Sequence, residues 1–69
     1  MLQTEMILKH LEEFGTITPL EALEEYGCMR LSARIADLRD SGVKITSTRE
    51  TKRNRFGKKV SFARYKLEV

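Results

Sequence analysis

The densest chemistry in this chain is a run of fixed positive charge. Residues 49–59 hold Arg49, Lys52, Arg53, Arg55, Lys58 and Lys59 against Glu50 alone, a local charge of +5. Like charges this close repel one another unless an anion lies among them, so the run is suited to a polyanion, and phosphate groups are the natural class. Arginine adds a planar fork of donors, and the electronegative minor groove of a duplex attracts it; Arg53 and Arg55 are the candidates for that insertion. A competing reading makes the lysines guards against edge-to-edge strand pairing. That device rarely needs so many cations.

A second group lies upstream, where Cys28-Met29-Arg30-Leu31-Ser32-Ala33-Arg34 opens a helical pattern. Arg30 suits guanine O6 and N7, Ser32 a phosphate or base edge, and Ala33 a close approach to a thymine methyl, with Met29 beside them. Arg34 and Arg39 are expected to reach phosphates, or else to pair with Asp37, Asp40 or upstream glutamates as surface ion pairs. Phe56 offers a wedge or a stacking surface, against the plainer expectation that it folds back onto its own hairpin.

No comparable grouping supports catalysis. Cys28 and His10 stand apart in the sequence, so neither a nucleophilic pair nor a metal site is expected, and His10 is assigned to the solvent side of its helix. Glu12 with Glu13, and Glu24 with Glu25, read as solvated helix faces. The chain has no Gly-rich phosphate loop, nucleophile elbow or acid–base carboxylate pair. It reads as a binding protein, not an enzyme, with no cofactor and no metal.

These groups need elements to hold them. With 69 residues there is room for one domain, residues 1–69, and 41% hydrophobic and 33% charged residues describe a folded chain rather than a disordered tail. From Gln3 to Phe14, Met6, Ile7, Leu11 and Phe14 recur at helical spacing, and Gly15 suits the closing position. Thr18-Pro19-Leu20-Glu21 is a strong start signal for a second helix: a hydroxyl to cap, proline at the first turn, and a glutamate three residues after the cap. Leu20, Leu23 and Tyr26 are its expected buried stripe, and Gly27 its end. A third helix is expected over residues 29–41, with Leu31, Ile35 and Leu38 inward. At about 100° per residue, Met29, Arg30, Ala33, Ala36, Asp37 and Asp40 then point outward.

Residues 43–48 alternate and are β-branched, and residues 60–69 again favour a strand, with Ala63, Tyr65, Leu67 and Val69 on one face. Val60 and Phe62 fall out of phase with that face, which predicts a bulge, a twist or a change of environment near Phe62. Asn54-Arg55-Phe56-Gly57 supplies the turn, with Gly57 at positive φ. The order is helix, helix, helix, then a β-hairpin, an α+β winged helix-turn-helix, with a short extra strand near Thr16 and Ile17 as an optional addition. In that arrangement the helix over residues 29–41 enters the major groove and the basic hairpin, or wing, lies along phosphates and the minor groove.

Charge is unevenly shared: residues 1–27 carry one lysine against six glutamates, and residues 28–69 twelve basic residues against four acidic ones. Only one surface therefore faces a polyanion. A single cysteine excludes an internal disulfide and fits a reducing cytoplasm. No stretch approaches the ~20 apolar residues of a membrane span, and Met1-Leu2-Gln3-Thr4-Glu5 lacks the charged region and apolar run of a leader. Neither a membrane nor export is expected.

Three segments together resemble a family of small phage and prophage helix-turn-helix proteins: Ile17-Thr18-Pro19-Leu20-Glu21-Ala22; Arg30-Leu31-Ser32-Ala33-Arg34-Ile35-Ala36-Asp37-Leu38-Arg39 with Gly42; and Asn54-Arg55-Phe56-Gly57-Lys58-Lys59 with Ala63-Arg64-Tyr65-Lys66-Leu67. The resemblance spans Met6 to Leu67. It implies a winged helix in the cytoplasm of a bacterial host. The expected partner is double-stranded DNA, and the expected role that of a transcriptional regulator or an accessory, architectural factor. The alternative is a phage-encoded interaction module that inhibits a host nucleic-acid enzyme, with Glu12, Glu13, Glu21, Glu24 and Glu25 docking on a basic host protein. Leu2, Met6 and Val69 are the expected contacts of a weak homodimer.

Overall fold

The computed structural model describes residues 1–68. The chain runs α1 (Gln3–Phe14), β1 (Thr16–Ile17), α2 (Pro19–Tyr26), α3 (Leu31–Asp40), β2 (Ile45–Arg53) and β3 (Lys59–Leu67). The strands form one antiparallel sheet in the order β1-β3-β2. The short extra strand is present: Thr16 pairs with Lys66 and Ile17 with Tyr65. Val69, expected both on a strand face and at a dimer contact, lies outside the described residues. Among the described residues, no helix is long and apolar enough to cross a membrane.

Local chemistry sets the helix ends. Thr18 Oγ1 accepts from the Glu21 N–H at 3.3 Å while the Glu21 carboxylate accepts from the Thr18 N–H at 2.9 Å, with Pro19 opening the helix between them. Two of the amides that a helix start leaves orphaned are thereby satisfied. Gly15 closes α1 at φ 85°, a conformation that would strain any residue with a Cβ. Its carbonyl accepts from the Leu67 N–H at 3.0 Å, so the end of α1 is tied directly to β3.

The buried core gathers residues from all three helices and from β1 and β2. Ile7 and Leu11 come from α1, Ile17 from β1, Ala22 from α2, and Leu31, Ile35 and Leu38 from α3, with Ile45 closing it from β2. Tyr65 and Leu67 of β3 pack against the edge. Cys28 is buried in the turn before α3 with its thiol free, as the small hydrophobe it resembles.

Several expectations need correction. His10 is buried, not exposed: its Nδ1 lies 2.7 Å from the Tyr26 hydroxyl, and the rings of Phe14 and Tyr26 flank it. Burial also raises the Tyr26 phenol above its ordinary pKa, with smaller contributions from Glu25, Glu13 and Glu21. Leu20 and Leu23 are 63% and 46% exposed. The short α2 turns Ala22 and Tyr26, one turn apart, toward α1, and Ala22 allows the close approach; its two leucines face elsewhere. Phe14 is also exposed at the end of the α1 stripe.

The hairpin is longer and more regular than expected. Nine pairs run without interruption from Ile45 opposite Leu67 to Arg53 opposite Lys59, so no bulge interrupts the ladder near Phe62. The phase change is a change of environment. Tyr65 and Leu67 share the face that meets the core, whereas Val60 and Phe62 lie on the other face, which meets α2 across an open groove.

Candidate nucleic-acid interface

α3 begins at Leu31, two residues later than expected. Met29 and Arg30 belong to the preceding turn, with Arg30 at the N-cap and Met29 84% exposed. That turn is fixed by backbone bonds: the Gly27 N–H donates to Leu23 O at 2.9 Å and the Cys28 N–H to Ala22 O at 3.1 Å. Buried Leu31, Ile35 and Leu38 set the rotation of α3, leaving Ser32, Ala36, Asp37 and Asp40 exposed and Ala33 and Arg34 half-buried. Arg34 Nε donates to Asp37 at 3.1 Å. An exposed pair of this kind is weak and exchanges readily for a phosphate.

Arg39 has a structural role. Its Nε and Nη2 both donate to the Ile45 carbonyl, at 3.1 and 2.9 Å. The bond joins the last turn of α3 to the first residue of β2 and so fixes the hairpin relative to the helix.

Register sorts the charges of the hairpin. Residues opposite one another share a face, and successive residues alternate. Arg49, Arg53 and Lys59 therefore share one face with Thr51, Ser61 and Ala63, and Arg53 stands directly opposite Lys59. Like charges at opposed positions destabilise a ladder, and no acid lies on this face to offset them. Arg55 and Lys58 extend the charge into the turn. All six basic residues of 49–59 are exposed.

The turn is rigid. Asn54 Oδ1 accepts from the Phe56 and Lys58 amides at 2.9 and 3.0 Å, and Gly57 takes φ 79°. Arg53 Nη1 donates to the Gly57 carbonyl at 2.8 Å, so this arginine braces the tip as well as charging it. Phe56 does not fold back: it is 84% exposed, with the Arg55 guanidinium 6.0 Å from its ring centroid.

Glu50, the single acid of the wing, lies on the opposite face, where the Arg64 side chain binds it. Arg64 also donates to Thr16 Oγ1 at 3.2 Å, linking wing and β1. The hydrogen bond from Arg64 to Glu50 is the main cause holding the Glu50 carboxyl below its ordinary pKa, and the same bond raises Arg64 in turn. A lone acid inside a basic run was the available sequence signal for such a partner. Because the folded pKa is the lower one, the stabilising contribution is complete above the unfolded pKa and disappears as pH falls through the folded value. Melting curves of the native chain and Glu50→Gln should thus differ by a constant amount from neutrality to the ordinary carboxylate range, and converge below it. A gap that does not close in acid would contradict the pairing.

Among the described residues no three His, Cys, Asp or Glu side chains gather as a metal site. The structure instead brings together a short helix with a small-residue outer surface and a rigid, cation-rich hairpin. The family described as winged helix-turn-helix domain matches residues 2–69. No curated protein and no solved structure matches the chain.

Proposed function

We propose a double-stranded DNA-binding function for this chain, which belongs to the winged helix-turn-helix domain family. The observation that carries it is the acid-free face of the wing, where Arg53 opposes Lys59 and Arg49 follows on the same side. An array of that kind is relieved by phosphates, which give affinity without sequence information. Arg49, Arg53, Arg55, Lys58 and Lys59 supply the contacts, with Lys52 at the edge and Arg55 beside Phe56 nearest the minor groove. Arg30, Ser32, Ala33 and Arg34 at the start of α3 supply what base reading there is. Exposed Asp37 and Asp40 further along the helix restrict the approach to its N-terminal end.

A transcriptional regulator or an architectural factor in a bacterial or phage setting fits this balance, in which backbone contacts outweigh base contacts. Selection of bound sites from random duplex DNA tests it. The expected outcome is retention of duplexes with a short, weak consensus, in preference to single strands. Retention of single strands alone would overturn the proposal.

A further inference from the structure

β1 is too short to cover its neighbour. It ends at Ile17, opposite Tyr65, and the chain turns away into α2 at Pro19. Among the described residues no strand therefore covers the edge of β3 from Ala63 to Lys59. The backbone groups of a strand face its two sides by turns. At the end of β3 the Leu67 N–H donates to Gly15 O on the β1 side, and the next N–H, of Glu68, donates to Lys44 O on the β2 side. By that alternation Lys59, Ser61 and Ala63 present their N–H and C=O groups to the uncovered side. An open edge of this kind is a template for another strand.

Beside that edge lies the groove between α2 and the wing, about 720 Å³, with Leu20, Leu23, Met29, Val60 and Phe62 in its lining. Single exposed hydrophobes are ordinary, but several around one groove mark a surface meant to be covered. Its uncompensated charge is positive. Lys52 holds its Nζ 5.9 Å from the Phe62 ring centroid, and neither Lys52 nor Arg53 has an acidic partner among the described residues. Arg64 is matched by Glu50, and the Glu21 carboxylate is taken up by the Thr18 N–H and hydroxyl.

The two faces of β3 sort what an added strand must carry. Val60 and Phe62 lie on the groove face, and Lys59 and Ser61 on the other, where Lys59 stands opposite Arg53. Residues paired across a ladder share a face. An added strand thus sets one series of side chains beside Val60 and Phe62 and the other beside Lys59. We infer that the occupant is an extended segment of a partner protein in which apolar and acidic residues alternate, paired antiparallel along the open edge of β3. A basic segment would meet Lys52, Arg53 and Lys59 with like charge. A duplex has phosphates for those cations but neither apolar side chains for the groove nor a peptide backbone for the edge. The inference does not depend on the DNA-binding proposal; if both hold, acidic side chains and phosphates compete for Arg53 and Lys59.

The probe is a short synthetic peptide of alternating valine and glutamate with blocked ends, titrated into the nitrogen-15-labelled full chain without DNA. Concentrations up to about 1 mM reach weak association. The amide signals of Lys59, Ser61 and Ala63 are expected to move together with those of Leu20 and Leu23. In this register the glutamate amides of the peptide face β3, so methylating them should weaken binding about tenfold or more. Ser61→Pro removes the central edge N–H and leaves the β2 ladder its bonds, at an edge where proline is tolerated. Val60→Glu, exposed and opposite Lys52, is expected to keep the fold and puts an acid in the groove. Each variant should lower affinity about tenfold or more. No shift at the β3 edge, a methylated probe that binds as well as the plain one, or unchanged affinity in either folded variant overturns the inference. Shifts confined to the outer edge of β2 also overturn it, as does a short duplex that moves the Leu20 and Leu23 amides while the peptide does not, which assigns the groove to DNA.

Discussion

Replacing Arg55, Lys58 and Lys59 together by alanine is expected to lower affinity for duplex DNA by a factor of about 10² or more near 0.1 M salt. Each phosphate contact releases condensed counterion, so losing three should flatten the plot of log K against log salt by about 2.7. The side chains of these three carry charge without holding structure. Arg53 braces Gly57 and Arg39 bonds Ile45, so replacing either would change the fold and the charge together. The triple variant should melt at or above the native temperature, because the Arg53–Lys59 repulsion is removed. Unchanged affinity and slope would remove the wing from the interface.

The second large effect concerns stability. Ile35→Ala is expected to destabilise the domain by about 2–5 kcal/mol, the usual range for an aliphatic truncated in a packed core. Ile35 is 1% exposed, in the middle of α3, within the cluster that includes Ile7, Leu11 and Ile45. At the usual ~0.05–0.15 kcal/mol per residue, a chain of 69 residues has only roughly 3–10 kcal/mol in total. The variant should therefore be partly unfolded at 37 °C, as followed by denaturant titration. At low temperature, where it remains folded, its duplex affinity should match the native chain, because Ile35 reaches no surface. A loss below 1 kcal/mol would show that α3 is not packed as described.

How much of this was legible in the sequence depended on the range of the interaction. Signals within one turn of chain were clear: Thr18 with Glu21 gave the start of α2, Gly15 its place at the end of α1, and Asn54 with Gly57 the turn of the wing. The inward stripe of α3 was equally plain, because Leu31, Ile35 and Leu38 are spaced for one face. Interactions between distant segments were not. His10 shares the helical stripe of Ile7, Leu11 and Phe14, but its burial depends on a hydroxyl sixteen residues away on Tyr26. The β2 strand looked as if it should stop at Thr48, since charged residues are poor strand formers, yet pairing with β3 carries it to Arg53.

The site divided in the same way. Its charge was visible in the composition of residues 49–59, whereas the face each charge occupies required the register. Register separates Glu50 from Arg49, Arg53 and Lys59 and gives it to Arg64. The groove was hidden for a related reason: Leu20 and Leu23 sit at spacings that suit a core, and only the packing of Ala22 and Tyr26 shows that they face outward.

The central claim is that a cation-rich wing anchors this chain on duplex phosphates, and the salt dependence of binding tests it most directly. Titration of the native chain against a duplex of arbitrary sequence, over a series of salt concentrations, should give a linear fall in log K with log salt. Five wing cations on phosphates predict a slope of about −4.5. A slope near zero, or binding that persists unweakened at high salt, would contradict the account.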